Sequence, residues 1–288
     1  MRRWPNNRRP ARIPTAHALV LGLLQGPTEL LPVSSSGHLE LLPWLLGWEW
    51  RGVDEELRKA FAVALHGGGA AALAIALGEQ VVPRTAHRWA LLALSVAPAA
   101  VFGYMLERPV ERRLGTPPTV ALGLLGGGAM LAWSDRFPQL RTRDEACARD
   151  ALWLGLAQAA ALVPGVSRGG ATLAAARWRR FKRPDAQRLQ RELALPVIAG
   201  AAVLKGSRLR VRRLPPASRT PFLAGAAAAF FSTLGSMSLL RVAGTQEPLS
   251  IYAAYRAALA GAVLARLRTT RARPCPPRGR ATSRASRR

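Results

Sequence analysis

The run at residues 21–41, LGLLQGPTELLPVSSSGHLEL, sets Gln25, Glu29, Ser34, Ser35, Ser36 and His38 inside sequence otherwise dominated by leucine. A segment this apolar belongs in lipid or in a buried core, where a carboxylate or a row of hydroxyls is costly unless each group has partners. Gln25 and Glu29 are four residues apart and share one helix face, and the break at residues 32–37 ends that helix with the hydroxyls following directly. The spacing predicts a broken helix with a polar tip, and polar groups placed this way point to function.

Hydrophobic residues make up 49% of the 288-residue chain and fall in long blocks, the pattern of a membrane protein. The mean hydropathy of only +0.07 averages those blocks with arginine-rich ends and connectors. Residues 1–13 hold five Arg and no acid, residues 266–288 nine Arg and no acid, and only three of the 42 basic residues are Lys. A formal charge of +26 has two ordinary readings, phosphate-backbone binding or basic segments beside a membrane. The tails are rich in Pro, Ser and Arg without interleaved aromatics, which predicts disorder beside a bilayer and excludes nucleic acid as the expected partner. Cys147 and Cys275 sit in unrelated contexts, so neither a disulfide framework nor a CxxC site is implied. The basic-then-apolar N-terminus is interrupted by Gln25 and Glu29 and lacks a small-residue cleavage site, so it does not read as a removable signal peptide.

Along the chain, residues 15–33 enter the membrane and residues 39–48 return, with Trp44, Trp48 and Trp50 placed for an interface belt. Residues 61–77 read as a packed span, in which Gly67, Gly68 and Gly69 admit a neighbouring helix and His66 is a packing residue. Residues 89–106, kinked at Pro98, and residues 117–133 complete the first half. Residues 134–150 carry eight charged side chains and are expected to be an exposed midpoint.

The second half opens on LGLAQAAALVPGVSRGGATLAAA, again a Pro-Gly break and a polar tip in apolar sequence. Laying Leu154 on Leu21 matches Gln158 with Gln25, Val166-Ser167 with Val33-Ser34, and Gly170 with Gly37, an internal repeat. Residues 177–191 read as an exposed basic connector, and residues 193–204, 221–240 and 251–267 as the remaining apolar elements. The expected fold is all-α: a polytopic membrane protein of two inverted repeats, about 14–133 and 151–267, each with a re-entrant broken-helix hairpin. A basic arm at 1–13 and a disordered tail at 268–288 flank the 14–267 body.

Together the two tips suit a phosphate. Arg168 offers a planar fork, Ser34, Ser35, Ser36, Ser167 and Thr172 offer hydroxyls, and Gly170 belongs to a Gly-rich turn that bares backbone N–H groups. A lone carboxylate would repel that anion, so Glu29 reads either as a ligand for a hard divalent cation, Mg or Ca, or as a proton-handling group.

QGPTELLPVSSSGHL and PGVSRGGAT resemble the two signature stretches of the undecaprenyl-diphosphatase, or bacitracin-resistance, family, and FAVALH at residues 61–66 and Ala194-Leu-Pro196 extend the likeness over the membrane body. The resemblance implies a multi-pass bacterial plasma-membrane enzyme with its active site facing outward. Its implied reaction converts undecaprenyl diphosphate to the monophosphate and recycles the cell-wall lipid carrier, with a divalent cation. Carried over by position, the family's amide and acid fall on Gln25 and Glu29, its hydroxyl run on Ser34 to Ser36, its histidine on His38, and its second motif on Ser167, Arg168 and Thr172. The sequence departs where a second serine is usual, at Gly169, and at Gln190-Arg191-Glu192, where an apolar stretch is expected.

The mechanism this implies has Arg168, Ser167, Thr172 and a Glu29-bound cation hold the diphosphate, with either Ser35 or a metal-bound water as nucleophile and His38 as base. Against this stand plainer roles: a cap for one of the serines, and an ion pair to Glu29 for Arg168. A transporter or flippase that binds lipid-linked phosphate without cleaving it is the alternative function. Oligomeric state is left open, a homodimer included.

Overall fold

The computed structural model describes residues 12–78, 82–209, 215–243 and 247–271. Most of the basic arm and tail, and the short 79–81 stretch holding Glu79, lie outside the described residues. Among those described, the fold is all-α, and the only β pairing is an isolated bridge between Arg141 and Phe181.

The first half is α1 (Thr15–Leu30), α2 (Ser35–Leu45), a 3-10 turn (Glu49–Gly52), α3 (Glu55–Leu77), α4 (Ala86–Leu114) and α5 (Pro117–Ser134). The second is α6 (Ala148–Ala160), α7 (Arg168–Trp178), α8 (Arg183–Leu209), α9 (Arg219–Ala243) and α10 (Ser250–Arg271). The register proposed from sequence is met by the helices: Leu154 laid on Leu21 puts the starts and ends of α2 and α7 on each other. Their N-caps match in detail. Ser34 and Ser167 both have positive φ, 77° and 71°, and accept from Gly37 N at 3.3 Å and Gly170 N at 3.1 Å. A positive φ is costly for serine, and its appearance at both tips marks one backbone solution used twice.

The halves interlock by exchange: α1 packs chiefly on α9 and α6 on α4, while α5 pairs with α10 and α3 packs on α9 and, less extensively, on α8. Small residues allow the close approaches. A Cβ on Gly68 would lie 3.1 Å from the Ala226 backbone carbon of α9, so of the glycine triplet of α3 only Gly68 is required by the approach, while Gly67 faces open space. Proline breaks are answered by neighbours. Pro27 deprives Leu23 O of its helical donor, and Ser232 Oγ of α9 donates to that carbonyl. Near Pro98, Gln158 Nε2, the repeat-mate of Gln25, donates to Ser95 O at 3.0 Å and ties α6 to α4.

Apolar clusters hold these contacts. Leu21, Phe61, Leu65 and Phe222 join α1, α3 and α9, and Leu30, Leu73, Ala194 and Met237 bind α1 and α3 to α8 and α9. Large apolar side chains also face outward, including Leu223, Val203 and Phe231 at 73%, 71% and 68% exposure. The helix at Glu55–Leu77 and the stretch Ala86–Leu106 of α4 are long and apolar enough to cross a membrane.

Several expectations are corrected. Trp50 lies in the core, edge-on to Phe61, rather than in an interface belt, and Trp48 stacks on His17 at 3.6 Å between ring centroids. The 134–150 segment is not simply exposed. Asp150 is fully buried, held by Arg141 at 3.0 and 2.7 Å and by Arg179 at 2.6 Å, because paired charges can enter a core that unpaired ones cannot. The 177–191 segment is not a connector throughout. Arg177 is fully buried and donates to Phe137 O and Phe181 O, and residues from 183 onward already belong to α8.

Candidate active site

α1 ends at the Pro32 break and delivers Glu29 in its last turn, while α7 begins at Arg168 directly after the Pro164-Gly165 break. Glu29 Oε1 accepts from Arg168 Nη2, an ion pair between the two halves. Glu29 Oε2 accepts from Ser35 Oγ at 2.7 Å and from Gln25 Nε2 at 3.1 Å, the latter across one helical turn as the spacing requires. Arg168 Nη1 donates to Ala194 O at 2.7 Å, so the α8 segment beside Pro196 orients the guanidinium. The ionic alternative for Arg168 and the convergence of the tips therefore hold together.

Ser34 and Ser167 are the caps, Gly170 supplies the N–H that Ser167 takes, and Ser35 and Arg168 occupy equivalent first positions of α2 and α7. Apart from Gly37 N and Gly170 N, which the two caps take, the first-turn N–H groups have no helical carbonyl to bond, which is favourable for an anion at the tips. Ser36 is exposed. Thr172 Oγ1 donates to Arg168 O at 2.8 Å, which commits its proton to its own helix.

His38 is not placed as the sequence implied. Its Nδ1 pairs with Ser34 O at 2.7 Å, and since a carbonyl only accepts, that nitrogen carries the hydrogen. Its Nε2 meets Tyr255 Oη at 2.7 Å. Both nitrogens are thus engaged, and Ser35 donates to Glu29 instead. The histidine beside the carboxylate is His66, whose Nε2 lies 3.6 Å from Glu29 Oε2 while Nδ1 donates to Ala62 O at 2.7 Å. His66, read as packing from its glycine neighbours, therefore belongs to the site.

Arg256 was missed altogether. It is fully buried on α10, and among the described residues its hydrogen bonds all go to main-chain carbonyls: Pro32 at 3.3 Å, Gly165 at 2.9 Å, Val166 at 2.7 Å, Leu124 at 3.2 Å and Gly123 at 3.4 Å. One guanidinium ties the broken backbone of both hairpins, satisfying carbonyls that a helix break leaves open. Gly127 of α5 makes room for it, since a Cβ there would fall 3.1 Å from Arg256 Cζ. The signal was present: Arg256 is a lone charge in the apolar run at residues 251–265, the same anomaly that marks Glu29.

No three His, Cys, Asp or Glu side chains converge to hold a metal ion among the described residues. Gln25 Oε1 is buried without a hydrogen-bond partner beside Glu29. One carboxylate and one unpartnered amide oxygen fit a hard cation whose shell is completed by phosphate oxygens and water, as is usual for Mg.

The family model described as bacitracin resistance protein BacA matches residues 18–262 of this chain. The chain belongs to that family. It is 39% identical over 269 residues to an undecaprenyl-diphosphatase of Geobacter sulfurreducens, covering 87% of this chain and 97% of that protein. An undecaprenyl-diphosphatase of Pelotomaculum thermopropionicum is 36% identical over the same shares, and one of Geobacter metallireducens 40% over 73% and 82%. In this member of the bacitracin resistance family the two departures from the usual motif touch each other. A Cβ on Gly169 would lie 3.0 Å from Gln190 Nε2, so glycine at one position and glutamine at the other share one space.

Proposed function

We propose that this protein hydrolyses undecaprenyl diphosphate to undecaprenyl phosphate and inorganic phosphate, at the junction of two re-entrant hairpins in a multi-pass membrane protein. The observation that carries the reading is the meeting of Glu29 and Arg168, with Ser35 and His66 beside them and two helix N-termini at the same tips. The family membership and the names of the relatives supply the substrate.

Arg168 and the first-turn amides of α2 and α7 bind the non-bridging oxygens of the diphosphate and offset charge on the terminal phosphoryl group. The incoming anion takes Arg168 from Glu29, which frees the carboxylate. Glu29 then receives the proton of Ser35 or of an attacking water, and His66 Nε2 on its far side is the next proton position. As nucleophile, Ser35 Oγ attacks the terminal phosphorus and breaks its bond to the bridging oxygen, undecaprenyl phosphate leaves, and water then hydrolyses the phosphoserine to inorganic phosphate; direct attack by water needs the same groups. In the alternative role for the carboxylate, Glu29 and Gln25 Oε1 would hold a divalent cation, which would neutralise phosphate charge. His38 with Tyr255, and Arg256, position the tips.

The exposed apolar side chains and the two apolar helices support a bilayer setting, and the matching caps and exchanged helix pairs support the inverted repeat. The connector at 136–149, the α7–α8 turn at 179–182 and the first turns of α8 are rich in basic residues, which supports a cytoplasmic placement of their end and an outward-facing site. Phosphate release from undecaprenyl diphosphate by purified protein, with and without a chelator, tests the reading. Binding of the lipid without release favours the flippase alternative.

A further inference from the structure

Three tryptophans meet at one end of the molecule: Trp133 in the last turn of α5, Trp153 in α6 and Trp178 at the end of α7. Trp178 sits edge-on to Trp133 at 4.8 Å and to Trp153 at 5.6 Å between ring centroids, and stacks on Phe137 at 6.1 Å. The cluster is not core. Trp133, Trp153 and Trp178 are 48%, 39% and 38% exposed, and none of their indole N–H groups has a hydrogen-bond partner among the described residues. An indole with a packed apolar body and a free N–H suits the boundary between hydrocarbon and water.

Each tryptophan has an arginine beyond it, on the side away from the tips. Arg136 follows Trp133 by three residues, Arg180 follows Trp178 by two, and Arg149 precedes Trp153 by one helical turn and so shares its face. All three arginines are exposed and have no ion pair among the described residues. The acids next to them in sequence are already taken, Asp135 by Arg183 and Asp150 by Arg141 and Arg179. Indole within and guanidinium without, repeated on three helices, is the order in which a protein meets the carbonyls and then the phosphates of a headgroup layer. From Arg168 to Trp178 the α7 axis rises about 15 Å, so the cluster stands a helix length from the ion pair at the tips. It lies at the basic end placed above toward the cytoplasm, where anionic lipid gathers.

We propose that the tryptophan cluster with Arg136, Arg149 and Arg180 is an interfacial anchor that binds the headgroup phosphates of anionic phospholipid. The inference rests on the membrane setting above, though not on the reaction at the tips. Quenching of the tryptophan emission of the purified full chain in detergent micelles, by phospholipids brominated high on the acyl chain, measures it. Brominated phosphatidylglycerol and phosphatidylcholine are the probes. Both should quench the native chain, and phosphatidylglycerol should reach half its effect at a concentration about tenfold or more lower. With Arg136→Gln, Arg149→Gln and Arg180→Gln combined, the two curves should coincide while phosphate release stays native; Lys at all three positions should keep the preference. Trp153→Phe should lower the maximal quenching. Absence of quenching by either lipid would overturn the membrane setting and the anchor with it. Coincident curves for the native chain, or a preference that survives the three Gln substitutions, would overturn the anchor alone. Maximal quenching unchanged by Trp153→Phe would show the cluster covered by protein, a second copy included, and would overturn it too.

Discussion

Glu29 and Arg168, 139 residues apart in sequence, form a buried ion pair that joins the last turn of α1 to the first residue of α7. Each is the most demanding charge of its own hairpin, and each satisfies the other. A pair of this kind holds the empty site together and is replaced when a stronger anion arrives, so one contact serves both folding and function.

Ser35 and His66 flank the same carboxylate oxygen of Glu29, at 2.7 and 3.6 Å. Ser35→Ala and His66→Asn should each lower turnover of undecaprenyl diphosphate by roughly 10²-fold or more, the usual worth of a positioned proton-transfer group. Because both act through Glu29, the double variant should fall well short of the product of the two losses. Unchanged turnover in His66→Asn would remove it from the proton path.

Arg256 holds main-chain carbonyls of both hairpins and touches no reacting atom, so it is a positioning residue. Arg256→Met should cost several kcal/mol, at about 1–3 kcal/mol for each buried acceptor left open, read as a lowered melting temperature in detergent. Arg256→Lys should recover part of the stability and less of the turnover, since an ammonium cannot span the same carbonyls.

Gly169 and Gln190 share one space. Gly169→Ser alone should destabilise, because its Cβ would fall 3.0 Å from Gln190 Nε2 and the buried glutamine must give way. Gly169→Ser with Gln190→Leu should recover most of that loss, a coupling of about 1 kcal/mol in a double-mutant cycle of melting measurements. Additive effects would show that the two positions are independent.

Asp135, in the connector after α5, is partly buried, which pushes its carboxyl up, but hydrogen bonds from Nε and Nη2 of Arg183, each at 2.8 Å, and from Leu249 N at 3.1 Å outweigh that and hold it below the ordinary value. A depressed carboxyl contributes stability above its unfolded value near 4 and loses it as pH falls through the lower folded value. Asp135→Asn should therefore melt at a lower temperature than the native chain at neutral pH, and the gap should narrow as pH falls below the unfolded carboxyl value near 4. A gap that stays constant as the pH is lowered would contradict it.

Both hairpins and their register were legible because polar residues in apolar sequence are few and their spacing survives in Gln158, Ser167 and Gly170. What composition could not carry was pairing across the fold. Asp150 and Arg177 sit in charge-dense sequence that reads as solvent-exposed, yet each is buried because its partners arrive from elsewhere in the chain. His66 looked like packing because its neighbours are glycines, and only the approach of α1 to α3 sets it against Glu29. His38 sits in the motif as expected, but its hydrogen bond to Tyr255 depends on how α10 docks against α2.

The most direct measurement is phosphate release from undecaprenyl diphosphate by purified, folded Arg168→Ala and Glu29→Ala proteins beside the native chain. The account predicts that each substitution lowers the rate by at least about 10²-fold, the scale of losing a preorganised charge contact to the transition state. Near-native turnover in either variant would contradict it.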